Sequence, residues 1–211
     1  MSGPDRLVVD ASRPAPAAME TAACVLRAGG LVAFPTETFY GLGAQAFDER
    51  AVARIFEVKG RPAEKPLLVL VDSFDMVGRV AREVPDLGRR LAARYWPGPL
   101  TLVLPAHPAV SLALTAGTGT IGVRLSGHAV ARALVAAVGA PVTAPSANLH
   151  GGASPRTADE VIAALGEGID LVLDGGATPG GPPSTVLDLT GAGPAILRPG
   201  AVLLSADDLR A

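Results

Sequence analysis

Residues 49–71, ERAVARIFEVKGRPAEKPLLVLV, predict a helix, a basic loop and a buried strand in succession. Asp48 can cap the helix at its start, and Gly60 is typical of a residue that ends one. The apolar run at 67–71 has the composition of a strand that is buried on both faces of a sheet. This order of elements favours an α/β fold.

The loop in this stretch contains both lysines of the chain, Lys59 and Lys65, on either side of Arg61. The other basic residues, apart from the histidines, are all arginine. Two explanations for both lysines lying in one loop are chance and a need for compact ammonium groups. Three cations beside backbone N–H groups are suited to a polyphosphate. The alternative is a solvated helix end, where Lys59 interacts favourably with the helix dipole.

Composition limits the classes of function. The chain has 211 residues, 49% of them hydrophobic, a net charge of −2 and one cysteine, Cys24. These values indicate a folded domain without an intramolecular disulfide and without a global positive field for nucleic acid or membrane. The N-terminal segment lacks the pattern of a signal peptide, and no apolar stretch is long enough to span a membrane. We expect a soluble, cytoplasmic protein.

Helix and strand patterns intermix along the rest of the chain. A first helix is predicted with Ser12 as its cap and Pro14 in its first turn, ending at Gly29 and Gly30. The strand LVAF is followed by PTETFYGLG, which we interpret as a polar loop. Further helices are VPDLGRRLAARYW, HAVARALVAAVG and TADEVIAAL, and further strands are LTLVLP, TIGVRL, APVT, LVLD, TVLDLT and AILRPG. The pattern predicts one three-layer α/β domain, residues 1–211, with a twisted mixed sheet.

Polar side chains follow several of these strands. Thr36 follows LVAF, Ser146 and Asn148 follow APVT, and Ser184 precedes TVLDLT. Ligands of open α/β sheets bind at strand ends, where such groups can hold polar substrates. Ordinary turns, in which hydroxyls bond to their own backbone, explain the same residues equally well.

Arg124 lies inside the apolar strand TIGVRL, which begins at Thr120. A buried arginine is costly unless it is paired. The sequence offers few nearby acids, so a bound anion is a reasonable partner, and an edge strand with Arg124 facing water is the alternative. Together with Arg198 of AILRPG, these residues predict a cationic cleft with almost no acid in it, suited to a nucleoside triphosphate. The three histidines are isolated, and no His/Cys spacing indicates a metal site.

Seven motifs in matching order resemble one family. They are FPTETFYGLGAQAFD, KGRP…KPL, WPGPLTLVL, GVRLSGHAVARALV, APSANLHGGASP, STVLDL and LRPGA. From about Ala17 to Leu204 the chain is similar to the YrdC/Sua5/TsaC family of threonylcarbamoyl-adenylate synthases. The resemblance implies a YrdC/RibB-like fold with a basic concave cleft, in a short form without the additional C-terminal domain of the Sua5 type.

The resemblance also implies a reaction. L-Threonine, bicarbonate or CO2, and ATP would give threonylcarbamoyl-AMP and pyrophosphate, with Mg²⁺ accompanying ATP. The product would pass to tRNA threonylcarbamoyl transferase machinery for the N6-threonylcarbamoyladenosine modification of tRNA. Weak binding of tRNA or double-stranded RNA is possible within this expectation, and no membrane partner is expected.

The resemblance implies roles for particular residues. The K-x-R…S-x-N signature falls on four catalytic residues, Lys59, Arg61, Ser146 and Asn148. Threonine would be bound by Thr36, Arg124, Ser146 and Ser184. ATP would be bound by Arg61, Lys65, Thr120, Asn148 and Arg198. The alternatives are a module of the same fold that binds double-stranded RNA or tRNA, and a relative that forms a carbamoyl adenylate from carbamoyl phosphate.

Overall fold

The computed structural model describes residues 3–62 and 65–210. Its strands are β1 (Asp5–Val8), β2 (Val32–Pro35), β3 (Tyr40–Gly43), β4 (Leu68–Leu70), β5 (Leu100–Pro105), β6 (Thr120–Arg124), β7 (Val142–Thr143), β8 (Leu171–Asp174), β9 (Thr185–Asp188) and β10 (Ala195–Arg198). Its α-helices are α1 (Pro16–Arg27), α2 (Glu49–Lys59), α3 (Phe74–Val77), α4 (Asp86–Tyr95), α5 (Leu112–Thr115), α6 (Ala129–Val138) and α7 (Ala158–Leu165), and a 3-10 helix covers Gly166–Gly168.

The strands form two mixed sheets that meet at β3. One sheet has the order β1-β8-β2-β3, and the other has the order β10-β9-β5-β6-β4-β7. Backbone hydrogen bonds join β3 to the segment that contains β7, for example Leu42 N to Pro145 O at 2.8 Å and Ala147 N to Tyr40 O at 2.9 Å. The prediction of a twisted mixed α/β fold is confirmed.

The helix from Glu49 to Lys59 begins and ends as its sequence predicts. The Asp48 carboxylate accepts hydrogen bonds from the backbone N–H groups of Arg50 and Ala51. Gly60 has φ = 55° and ψ = 35°, the left-handed conformation that glycine adopts without strain. This turn directs the chain from α2 into the basic loop and then into β4.

The predicted start of the first helix is wrong. Helix α1 begins at Pro16, and Ser12 is not its cap, because the Ser12 hydroxyl and N–H both donate to Asp10. The ring of Pro16 disfavours helical backbone at the residue before it, and Ala15 is accordingly extended, with φ = −64° and ψ = 132°.

The interpretation of PTETFYGLG as a loop is also wrong in its second half. Tyr40–Gly43 form the buried strand β3, antiparallel to β2. A Cβ at Gly43 would lie 2.9 Å from Phe34 Cε1 and 2.9 Å from Val142 Cγ1. The absence of a side chain at Gly43 thus allows three chain segments to pack closely.

The core consists mainly of alanine, valine and leucine. Its largest fully buried side chains include Tyr40, Phe34 and Leu26, and helix α1 packs against α6. In the part of the chain that the structure describes, no helix is both long and apolar enough to cross a membrane.

Candidate active site

A cavity of about 450 Å³ lies over one face of the six-stranded sheet. Its floor is formed by alternate residues of three neighbouring strands, because side chains of a pleated strand point to one face at every second position. These floor residues are Thr101 and Val103 of β5, Thr120, Gly122 and Arg124 of β6, and Val186 and Asp188 of β9.

The rim of this cavity comes from loops that follow or precede strands. The β2–β3 turn contributes Thr36 and Thr38, the segment after β7 contributes Ser146, and the start of β9 contributes Ser184. Arg61 and Arg198 complete the rim. The structure therefore brings seven of the predicted site residues to one cavity: Thr36, Arg61, Thr120, Arg124, Ser146, Ser184 and Arg198.

Arg124 is buried, with 5% of its side chain exposed, so the alternative of an edge strand facing water is wrong. The expectation that it lacks an acid partner is also wrong. Its Nη2 lies 3.2 Å from Oε2 of Glu37. Burial lowers the pKa of Arg124, and the neighbouring Glu37 carboxylate opposes that shift. Arg124 thus reaches the cavity floor with its charge already partly compensated.

Arg61 and Arg198 are held differently, by neutral groups. Arg61 donates from Nη2 to the carbonyl of Pro66 at 3.1 Å. Arg198 donates from Nη2 to the carbonyl and hydroxyl oxygens of Ser184, at 2.8 and 2.9 Å. Burial lowers the pKa of both arginines, and for Arg198 the positive charge of Arg124 lowers it further. Both guanidinium groups are oriented without being neutralised by an acid of the described residues.

Lys59 does not line the cavity. It is 2% exposed, and its ammonium donates to the backbone carbonyls of Ser146 and Asn148, while its own carbonyl accepts the N–H of His150 at 2.7 Å. Helix α2 thus ends in a side chain that holds the S-A-N loop, residues 146–148, from outside the cavity. The sequence placed Lys59 correctly at the helix end but suggested a contact with phosphate, whereas the ammonium contacts backbone oxygen.

Burial, together with the charge of Arg61, lowers the pKa of Lys59 from 10.5 to about 8. Between these two values the unfolded chain keeps the proton that the folded protein has released, so the free energy of unfolding rises with pH. We expect the wild type to gain on the order of 2 kcal/mol over Lys59→Met between about pH 7.5 and about pH 9.5, since about 1.5 pH units of this window lie above the folded pKa and one unit corresponds to about 1.4 kcal/mol. Urea unfolding of both proteins at about pH 7.5 and about pH 9.5 measures the difference. Parallel changes in the two proteins would contradict the buried, titrating lysine.

Asn148 and Lys65 also lie outside the cavity lining. The Asn148 side-chain amide donates to the carbonyls of Leu149 and Gly152, each at 2.7 Å, and so shapes its own loop. The exposed Lys65 places Nζ 3.2 Å from Nε2 of His150. The ATP contacts suggested for these two residues remain predictions.

The predicted set of site residues left out others that the structure places at the site, among them Thr101, Asp188 and Glu37. Thr101 is buried in the cavity floor, with its hydroxyl 3.0 Å from that of Ser184. Period-two spacing along LTLVLP and TVLDLT could have indicated Thr101 and Asp188, but only the sheet order brings them beside Arg124 and Ser184. Among the described residues Asp188 is the acid that lines the cavity, beside Arg61, Arg124 and Arg198, while Glu37 lies behind Arg124, so the lining agrees with the prediction of a cationic cleft with almost no acid.

Comparison with known proteins identifies the family. A family model described as telomere recombination, which covers the Sua5, YciO and YrdC proteins, matches residues 24–200. The chain belongs to the Sua5/YciO/YrdC family. Membership of this family explains the resemblance seen in the motifs. The matched range includes α2, the S-A-N loop and β9.

Individual members of the Sua5/YciO/YrdC family are similar over most of the chain. The threonylcarbamoyl-AMP synthase of Pyrococcus abyssi is 49% identical over 183 residues, which are 87% of this chain and 54% of that protein. The crystal structure of P. abyssi Sua5 complexed with L-threonine superposes with a TM-score of 0.88 at 46% identity, over 92% of this chain and 57% of that one. Escherichia coli YciO superposes with a TM-score of 0.87 at 26% identity, over the full length of both chains.

The chain spans about half the length of the first curated relatives that it matches, 54% of the P. abyssi synthase and 53% of the Bacillus subtilis synthase. The part matched by the family model, residues 24–200, contains the residues that form the cavity, from Thr36 to Arg198.

Proposed function

We propose that this protein is a threonylcarbamoyl-AMP synthase, which forms L-threonylcarbamoyladenylate and pyrophosphate from L-threonine, bicarbonate or CO2, and ATP. The observation that carries the proposal is the convergence of three arginines, Arg61, Arg124 and Arg198, with a set of hydroxyl groups in one cavity. The name of the P. abyssi synthase and the L-threonine bound in the structure of P. abyssi Sua5 support this substrate class.

The reaction needs two anionic groups, the N-carboxylate of threonine and the triphosphate of ATP, to be held close together. The neutral amine of threonine takes up CO2 to form an N-carboxylate and releases a proton to solvent, and an oxygen of that carboxylate attacks the α-phosphorus of ATP. The bond to the bridging oxygen breaks, and pyrophosphate leaves with its electron pair. No covalent enzyme intermediate is required, so catalysis rests on positioning and on neutralisation of charge.

The residues divide into two groups by their surroundings. Arg61 and Arg198, which have no acid partner among the described residues, neutralise the triphosphate. Arg124 binds the α-carboxylate of threonine, beside the hydroxyls of Thr36, Ser146 and Ser184. Lys59 lies outside the cavity and donates hydrogen bonds to carbonyls of the S-A-N loop, which sets the position of Ser146.

Mg²⁺ would accompany ATP. In the described residues no three histidine, cysteine, aspartate or glutamate side chains are grouped as a metal site, and Asp188 is the carboxylate that lines the cavity. This donor set suits an ion held mainly by phosphate oxygens rather than one bound by a protein cage. When bound, Mg²⁺ would supply neutralisation of phosphate charge.

The proposal is tested by product formation. The purified protein is expected to release pyrophosphate, and to form a threonylcarbamoyl adenylate detectable by mass spectrometry, only when threonine, bicarbonate and ATP are all present. Formation of adenylate from carbamoyl phosphate instead would assign the protein to the carbamoyl-transferring relatives. Salt-dependent tRNA binding without any adenylate would favour an RNA-binding module. We further propose that the product is used in the cytoplasm by tRNA threonylcarbamoyl transferase machinery.

A further inference from the structure

Glu37 lies behind the cavity rather than in its lining. Thr36 and Thr38 on either side of it line the cavity, whereas the Glu37 carboxylate contacts Nη2 of Arg124 at 3.2 Å. Arg124 Nε and Glu37 Oε1 are buried and have no hydrogen-bond partner among the described residues. The guanidinium is therefore held by Glu37 through Nη2, and Arg124 also lines the cavity.

The start of helix α6 supports Glu37. The hydroxyl of Ser126 donates to the same carboxylate oxygen that contacts Arg124, and it accepts the N–H of His128 at 3.2 Å. The positive end of a helix dipole stabilises a nearby anion, and Ala129–Val138 follow directly. Ser126 is 1% exposed, so this arrangement is shielded from solvent.

Glu37 makes Arg124 electrostatically unlike the other two cavity arginines. Arg61 and Arg198 donate to neutral oxygens, as described above, and keep a full positive charge. The Glu37–Arg124 pair is close to neutral as a unit, so its attraction for a multiply charged phosphate is weakened. Arg124 lines the cavity, and a guanidinium has further N–H groups that can bind a carboxylate.

We propose that Glu37 is a positioning residue that orients Arg124 and reserves it for a singly charged carboxylate, leaving polyphosphate to Arg61 and Arg198. The proposal rests on the proposed function and adds to it the feature that sorts the two anionic substrates. Glu37 does not touch substrate and acts through Arg124.

Glu37→Gln tests this role, because glutamine keeps the shape and one acceptor oxygen but removes the charge. We expect the KM for threonine to rise about tenfold, because the neutral amide holds the Arg124 guanidinium less firmly and one charge-assisted hydrogen bond from Arg124 to the threonine carboxylate is weakened. The KM for ATP is expected to stay within about twofold of wild type. We also expect pyrophosphate to begin to compete with threonine, because Arg124 becomes free to bind phosphate. A merely structural ion pair would not produce that competition.

Two further variants keep the test interpretable. Ser126→Ala leaves both charges in place and is expected to raise the threonine KM in the same direction by a smaller factor. Glu83→Gln removes the charge of an exposed glutamate outside the site and is expected to leave both KM values unchanged. Thermal denaturation of each protein reports whether it is folded.

The outcomes separate the two proposals. If the wild type forms no adenylate, the proposed function fails. If the wild type is active and folded Glu37→Gln and Ser126→Ala bind threonine like wild type, or raise both KM values equally, the role of Glu37 is overturned. Selective loss of threonine affinity together with competition by pyrophosphate supports it.

Discussion

Lys59→Met is expected to lower turnover by about a hundredfold, although Lys59 does not line the cavity. The ammonium donates to two backbone carbonyls, those of Ser146 and Asn148, and hydrogen bonds to charged groups contribute about 1.5–3 kcal/mol each. Methionine fills the same space without a donor, so the carbonyls lose their partner and the S-A-N loop shifts. Steady-state formation of pyrophosphate measures the loss.

The matched control is Arg50→Met, which removes an exposed cation near the start of the same helix. It is expected to retain wild-type turnover. A Lys59→Met protein that is folded by circular dichroism and fully active would show that the loop needs no anchor. A protein that loses only affinity for ATP would instead indicate a direct contact between Lys59 and phosphate.

Arg61→Ala is expected to reduce kcat/KM for ATP by two to three orders of magnitude, because the variant removes a cation that the proposal places on the triphosphate. Truncating one partner of a buried charge pair costs about 2–5 kcal/mol. The KM for threonine is expected to change little, since Arg124 binds that substrate. Initial rates with each substrate varied in turn measure both constants.

The opposite pattern, a raised threonine KM with an unchanged ATP KM, would contradict the assignment of the two arginines. Arg82→Ala is a suitable control, since Arg82 is an exposed arginine outside the cavity lining. It is expected to keep both constants.

Much of the fold followed from local sequence. The Asp48 cap, the left-handed Gly60, the helix within TADEVIAAL and the strands within TVLDLT and AILRPG all have the structure that their sequences predict. Such features depend on residues within a few positions of one another. Strand β3 was missed because it lies in a stretch interpreted as a polar loop, and its close packing with Phe34 and Val142 at Gly43 involves residues that are distant in sequence or on another strand.

The sequence predicted only part of the site, because local patterns do not show which distant residues meet. Residue types at strand ends indicated Thr36, Ser146 and Ser184, and the structure places all three at the cavity. Lys59 and Asn148 were expected to contact substrate. In the structure Lys59 donates to loop carbonyls, and Asn148 donates to carbonyls of its own loop. A motif identifies which residues matter without showing whether a side chain faces the ligand or supports one that does.

The sequence by itself determined that this chain folds as an α/β protein with a basic loop between α2 and β4, because helix caps, apolar periodicity and glycine turns are local properties. Only the tertiary structure decided that Glu37 pairs with Arg124 and that Lys59 supports residues 146–148. Those partners are separated by about 87 positions along the chain and meet because β6 and the segment after β7 are brought beside the β2–β3 turn and the end of α2. The charge at each arginine, and hence its expected substrate, depends on such contacts between distant parts of the chain.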